Sequence, residues 1–97
     1  MAEPTRSPFG ELVHRHRHRL GMTQMQMANL SVAESKNVFS GAPFSDRSVQ
    51  AWTRKTLDPL KWSAPHHATL RTLARVFRIE ERSEEYHALE AAARRSE

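Results

Sequence analysis

The clearest hydrophobic pattern in the chain is an apolar stripe within residues 65–78. Leu70, Leu73, Ala74 and Phe77 occupy positions i, i+3, i+4 and i+7, which share one face of an α-helix. Pro65 precedes the stripe and suits a helix start. The pattern therefore predicts an amphipathic helix over 65–78 with this face in the core.

Residues 9–19 predict an earlier helix whose two ends can be read from the sequence. Ser7 suits an N-cap, Pro8 suits the first helical position, and Gly21 suits the left-handed residue that follows a helix. The predicted apolar face consists of Phe9, Leu12, Val13, His16 and Leu20. Because His16 takes an apolar position in this stripe, we expect it to be partly buried.

The next predicted helix begins after Thr23, which suits an N-cap, and runs to near Asn37. We expect Met27 and Leu30 to face inward, together with Ala28. Gly41 and Pro43 break the helix within residues 38–44.

Ser45 or Asp46 caps a helix over 45–56, in which Val49 and Trp52 are three residues apart and face the core. This helix ends before Pro59, since a residue that precedes proline avoids helical geometry. A last helix over 83–95 begins with glutamates and ends with arginines, an order that suits the helix dipole.

These elements predict an all-α fold, a compact bundle of four or five short helices around one core. No alternating apolar and polar run indicates a strand. We expect residues 1–8 to be a disordered leader, because they are polar and hold two prolines. Residues 9–79 form the predicted domain, and residues 80–97 form an acidic C-terminal helix.

The charge is unevenly distributed along the chain. The total is +4, but residues 1–79 hold 12 basic and 5 acidic side chains, whereas residues 80–97 hold 3 basic and 6 acidic ones. The net charge is therefore +7 for the body, residues 1–79, and −3 for the tail, residues 80–97. A basic body favours an anionic partner, most commonly nucleic acid.

The composition argues against several classes of protein. With no cysteine, the chain has no disulfide, zinc-thiolate site or cysteine nucleophile, and its three glycines form no phosphate-binding loop. His14 and His18 are four residues apart, but the alternating arginines around them indicate a basic face and not a metal site. We expect neither catalysis nor a metal or cofactor.

No stretch approaches the roughly 20 apolar residues that a membrane span needs, and residues 1–30 lack the apolar run of a secretory signal. We therefore expect no membrane partner and a cytoplasmic, nucleoid-associated location. With no separate ligand domain, we also expect no small-molecule effector.

Three segments carry a family resemblance. Residues 23–28, Thr-Gln-Met-Gln-Met-Ala, are similar to the Thr-Gln-x-x-Leu-Ala motif that opens the second helix of phage-repressor-type, Cro-like or xenobiotic-response-element domains. Residues 44–52 look like the recognition helix of that family, and residues 65–79 look like its later Leu-x-x-Leu-Ala helix. The resemblance implies a lambda-repressor-like helix-turn-helix domain that binds DNA.

The recognition helix has two alternative registers. In the preferred one it lies near 45–56 and about eleven extra residues enlarge the turn before it. In the other, normal family spacing places recognition at 33–39 with Val38 as the core residue, but this leaves Ser31 at a usually hydrophobic position and Val32 where glycine is usual.

In the preferred register, several side chains are candidates for contact with double-stranded DNA. Arg47 pairs with guanine and Gln50 with adenine, and Asp46 either accepts from cytosine or, as we prefer, caps the helix. Arg54, Lys55 and Lys61 are candidates for phosphate contact, as is Gln24 by resemblance. The complete predicted DNA-binding set is Thr23, Gln24, Ser45, Asp46, Arg47, Ser48, Gln50, Arg54 and Lys55.

The resemblance implies a sequence-specific transcriptional regulator, most simply a repressor that binds a two-fold operator as a homodimer. The acidic last helix is a candidate dimer or partner surface, or it packs on the parent domain. The alternative function is a protein-interaction module or an antitoxin, in which the enlarged turn binds a protein partner.

Overall fold

The computed structural model describes residues 3–95, and their side chains up to Arg94. Over this range the chain forms five α-helices and two short 3-10 turns, and the only strand-like pairing is one antiparallel bridge between Thr5 and Thr56. The prediction of a small all-α bundle is confirmed. The helices are α1 (Pro8–Leu20), α2 (Gln24–Glu34), α3 (Asp46–Thr53), α4 (His67–Val76) and α5 (Glu84–Arg95), and the 3-10 turns are Ser35–Asn37 and Pro59–Lys61.

The ends of α1 follow the local rules of its sequence. The buried Ser7 hydroxyl accepts a hydrogen bond from the Gly10 N–H at 2.9 Å, and Pro8 takes the first helical position. At the other end Gly21 has a φ of 65°, and its N–H donates to the His18 carbonyl at 3.1 Å. Both predicted caps of this helix are present.

The core lies where α1 meets α3 and α5, and where α2 meets α3 and α4. Trp52 on α3 is central to it, because its ring meets Phe9 edge-on at 5.8 Å and Phe44 at 5.2 Å. Gly10 allows α1 to approach α3 closely, since a Cβ atom at this position would collide with the Trp52 carbonyl oxygen. The predicted stripe on α4, Leu70, Leu73, Ala74 and Phe77, is buried as expected.

Helix α2 faces the core differently from the prediction at one position. Met27 and Ala28 are buried as expected, but Leu30 is 42% exposed and Ser31 is fully buried in its place. The Ser31 hydroxyl is held inward by hydrogen bonds to the backbone of Phe44. This polar contact sets which face of α2 turns inward.

The acidic helix α5 packs on α1, one of the alternatives left open by its sequence. Tyr86, Leu89, Ala92 and Ala93 belong to the buried cluster. His16 of α1 is half-buried, as expected, and its ring stacks on Phe77 with a centroid distance of 5.2 Å. The apolar face of α5 is thus occupied within the bundle.

The segment before α1 differs from the predicted disordered leader. Thr5 and Thr56 exchange two backbone hydrogen bonds of 3.0 and 2.9 Å, and Arg6 Nε donates to the Thr53 carbonyl at 2.9 Å. Residues 5–7 are therefore fixed against the end of α3. The first two residues lie outside the described range. Between residues 3 and 95, no helix is long and apolar enough to cross a membrane.

Candidate nucleic-acid interface

The connection between α2 and α3 contains no recognition helix of its own. Ala33 and Glu34 belong to the last turn of α2, the 3-10 turn Ser35–Asn37 prolongs it, and Val38 is extended with φ −118° and ψ 130°. The alternative register, which places a separate recognition helix at 33–39, is therefore wrong. The preferred helix is present as α3, but it ends at Thr53 because the chain then becomes extended toward the Thr5–Thr56 bridge.

The start of α3 is fixed by a contact from α2. Phe44 N–H donates to the Ser31 hydroxyl at 3.0 Å, and that hydroxyl lies 2.9 Å from the Phe44 carbonyl oxygen and 2.6 Å from that of Ala28. Phe44 directly precedes the cap of α3. Ser31 therefore determines where α3 begins relative to α2, and the sequence interpretation missed it.

Ser45 is the N-cap of α3. Its hydroxyl accepts from the Ser48 N–H at 3.2 Å and lies 3.3 Å from the Ser48 hydroxyl. Our preference for Asp46 as the cap is wrong, since its carboxylate forms no hydrogen bond within the described residues and it occupies the first helical position. A carboxylate there still stabilises the helix through its dipole.

The face of α3 opposite the core presents two of the predicted base-reading residues. Val49 and Trp52 are buried, whereas Arg47 and Gln50 are exposed. Neither exposed side chain forms an ion pair or hydrogen bond with any described residue. Both are thus available to a ligand, and the helix that carries them is anchored on its other side.

Cations follow α3 along the chain. Arg54, Lys55 and Lys61 are exposed and make no ion pair within residues 3–95. By contrast, Arg6 pairs with Glu11, Arg75 with Glu34 and Arg94 with Glu90. Residues 47–61 hold four cations and one carboxylate. This segment is therefore positive and its cations are not neutralised by neighbours.

The start of α2 is closed by a capping box. Thr23 Oγ1 accepts from Gln26 N–H at 3.1 Å, and Gln26 Oε1 accepts from Thr23 N–H at 2.8 Å. Gln24 is half-buried, and its side chain forms no hydrogen bond with α3 or any other described residue. The sequence carried the signal for Gln26, since Thr-x-x-Gln is the capping-box pattern.

The histidine-rich face of α1 does not form a metal site among the described residues, where no group of three or more suitable side chains is placed to hold an ion. The rings of His14 and His18 are 4.3 Å apart. Burial, then the nearby Arg6, lowers the pKa of His14.

No protein-family model, curated protein or solved structure matches this chain. The likeness to phage-repressor-type domains is therefore carried by the motif residues alone.

Proposed function

We propose that this protein is a sequence-specific DNA-binding transcriptional regulator that reads base edges with α3. The observation that carries the proposal is the exposed face of α3, on which Arg47 and Gln50 have no partner among the described residues while Val49 and Trp52 anchor the helix. A major groove about 12 Å wide admits one α-helix. Arginine and glutamine are the side chains that pair bidentately with guanine and adenine.

The unpaired cations after α3 suit the DNA backbone. Arg54 and Lys55 neutralise phosphates beside the groove, and Lys61 extends the positive segment. The free backbone N–H groups in the first turns of α2 and α3, next to Thr23 and Ser45, are further phosphate donors. Backbone contacts of this kind position the reading helix without specifying sequence.

The simplest biological form of this activity is a repressor that occludes a promoter, in the cytoplasm. A homodimer on a two-fold operator would place its half-sites about one helical turn apart. Because the apolar face of α5 packs on α1, this dimer uses another surface.

The test is selection from random-sequence DNA followed by sequencing, at two salt concentrations. We expect a palindromic motif from the natural protein. Arg47→Ala should lose information at one or two positions of each half-site, since a bidentate pair discriminates by about 1–3 kcal/mol.

Arg94→Ala is the matched control. It removes the same charge from α5, where the Arg94 side chain is exposed and pairs only with Glu90 among the described residues. The control should return the unchanged motif. Absence of any motif, or a motif that Arg47→Ala leaves intact, would contradict base reading by this residue.

A second candidate function is recognition of a protein partner, as in an interaction module or antitoxin. It is favoured by Phe39 and Leu60, whose side chains are 90% and 92% exposed. For an interaction module, selection yields no motif and affinity for DNA is low at every salt concentration, whereas an antitoxin would bind both DNA and its protein partner.

A further inference from the structure

A charged cleft of about 530 Å³ lies on the molecule between the enlarged turn, α4 and the α4–α5 connection. Its size falls within the range of small-molecule pockets, roughly 300–1,000 Å³. Its lining includes Phe39 of the enlarged turn, residues 78–81 after α4, and Tyr86 of α5.

Two arginines of α4 line this cleft and bond to neighbouring elements of the fold. Arg71 Nη1 donates to the Phe39 carbonyl at 3.2 Å, and its guanidinium acts to lower the pKa of the Tyr86 hydroxyl, against the larger raising effects of burial and Glu90. Arg75 Nε pairs with Glu34 at 3.2 Å. Arg71 therefore joins α4 to the enlarged turn at Phe39, and Arg75 joins α4 to the end of α2 at Glu34.

Arg78 lines the cleft with a side chain that has no ion pair or hydrogen bond among the described residues, and its backbone is strained. It has a φ of 60°, its N–H donates to the Arg75 carbonyl at 3.0 Å, and the next N–H, of Ile79, donates to Ala74 at 2.8 Å. The same motif ends α1, where glycine takes the left-handed position at Gly21. An arginine pays a steric penalty there, and such strain concentrates at functional sites.

The Arg78 guanidinium forms no ion pair or hydrogen bond within the described chain, although it lines the cleft beside Glu80 and Glu81. Neither carboxylate has such a partner through its side chain. Glu81 is close enough to Tyr86 to raise the pKa of its hydroxyl, after the larger effects of burial and Glu90. The cleft therefore offers one unpaired cation and two unpaired carboxylates.

Apolar surface completes the lining. Val38, Phe39 and Ile79 border the cleft, and the Phe39 ring is almost fully exposed to it and to solvent. A ligand that satisfies all of these groups carries an anion, a cation and an apolar substituent.

We infer that this cleft binds a small zwitterion with an apolar group, the class of free apolar or aromatic amino acids. The ligand carboxylate pairs with Arg78, its ammonium lies against Glu80 and Glu81, and its side chain packs on Val38 and Phe39. This site departs from our expectation that the protein takes no small molecule. It does not depend on the proposed DNA binding, and its test contains no DNA.

The test is titration of the isotope-labelled protein with L-phenylalanine, followed by backbone amide NMR. We expect shifts at residues 37–39 and 78–81. N-acetyl-L-phenylalanine lacks the ammonium and L-phenylalaninamide lacks the carboxylate, so each should bind roughly 10-fold to 100-fold more weakly, as for loss of one charged hydrogen bond. Glycine, which lacks the apolar group, should also bind more weakly.

Arg78→Gly and Arg82→Gly form a matched pair of variants. Both arginines are exposed with positive φ, of 60° and 73°, but only Arg78 lines the cleft. Both variants should melt at a higher temperature than the natural protein, because glycine relieves the strain. Arg78→Gly should bind L-phenylalanine roughly 10-fold to 100-fold more weakly, while Arg82→Gly should bind it unchanged.

Three results would overturn the inference. They are an absence of amide shifts in the cleft at millimolar L-phenylalanine, binding of either blocked analogue as tightly as L-phenylalanine, and unchanged affinity for L-phenylalanine in Arg78→Gly.

Discussion

The hydroxyl of Ser31 on α2 contacts both backbone polar groups of Phe44, accepting from its N–H at 3.0 Å and lying 2.9 Å from its carbonyl oxygen. Both residues are buried. The contact joins the middle of α2 to the residue that precedes the cap of α3, across a connection of eleven residues. One side chain thereby fixes where the proposed reading helix begins.

Ser31→Ala should destabilise the protein by about 1–3 kcal/mol, because the Phe44 N–H is left buried without an acceptor. Denaturant unfolding measures the change. Ser35→Ala is the control, since among the described residues the Ser35 hydroxyl bonds only to the Val32 carbonyl near the end of α2, and its loss should cost less than about 0.5 kcal/mol. Equal effects of the two substitutions would contradict the role given to Ser31.

Gly10→Ala should also destabilise the fold, by about 1–3 kcal/mol through overpacking, since the added Cβ meets the Trp52 carbonyl oxygen. The sign of the stability change is informative, because at an exposed helical position alanine would instead stabilise the protein by about 1 kcal/mol relative to glycine. A melting temperature above that of the natural protein would show that α1 and α3 are not in close contact here.

Stability should fall as the solution becomes mildly acidic, partly through His16. Burial, then the neighbouring Arg19, lowers the pKa of His16 below its ordinary 6.5, while Glu85 acts in the opposite direction. The unfolded chain then takes up a proton at a higher pH than the folded one. The stability that neutral His16 contributes to the folded state is fully present above pH 6.5. It is lost as the pH falls from 6.5 through the lowered pKa of His16 in the folded protein.

Urea unfolding at neutral and mildly acidic pH measures this dependence. His16→Phe keeps a ring against Phe77 and should lose less stability on acidification than the natural protein. His66→Gln, which removes an exposed histidine, serves as the control. If His16→Phe loses as much stability as the natural protein, His16 is not a source of the pH dependence.

Arg54→Ala and Lys55→Ala should each weaken DNA binding and flatten its salt dependence. Each lost phosphate contact lowers the slope of log affinity against log salt by about 0.9. Fluorescence anisotropy between about 50 and about 200 mM salt gives the slope, with Arg94→Ala as the reference for a charge removed elsewhere. A slope unchanged by either substitution would remove that residue from the interface.

The parts of the fold that were predictable from sequence obey local rules. Ser7, Gly21 and Thr23 cap helices because of backbone preferences within a few residues, and the spacing of Leu70 and Phe77 alone determines which face of α4 is buried. In the same way, the inward position of Val49 and Trp52 leaves Arg47 and Gln50 outward.

The parts that escaped prediction depend on contacts distant in sequence. Ser31 displaces Leu30 from the inward face only because Phe44, thirteen residues away, supplies backbone partners. Thr5 is ordered by Thr56. The cleft could not be predicted from the sequence, because it combines residues 34–39 with residues 71–86. In addition, no glycine marks the left-handed position at Arg78.

The proposal that α3 binds DNA is tested by mapping the DNA contact on the protein. The isotope-labelled protein is titrated with a mixed-sequence DNA duplex at low salt, and backbone amide signals are followed by NMR. We expect the signals of residues 45–55 to shift or broaden and those of residues 84–95 on the acidic α5 to stay unchanged. An unperturbed α3, or perturbation confined to α5, would contradict the proposal that α3 binds DNA.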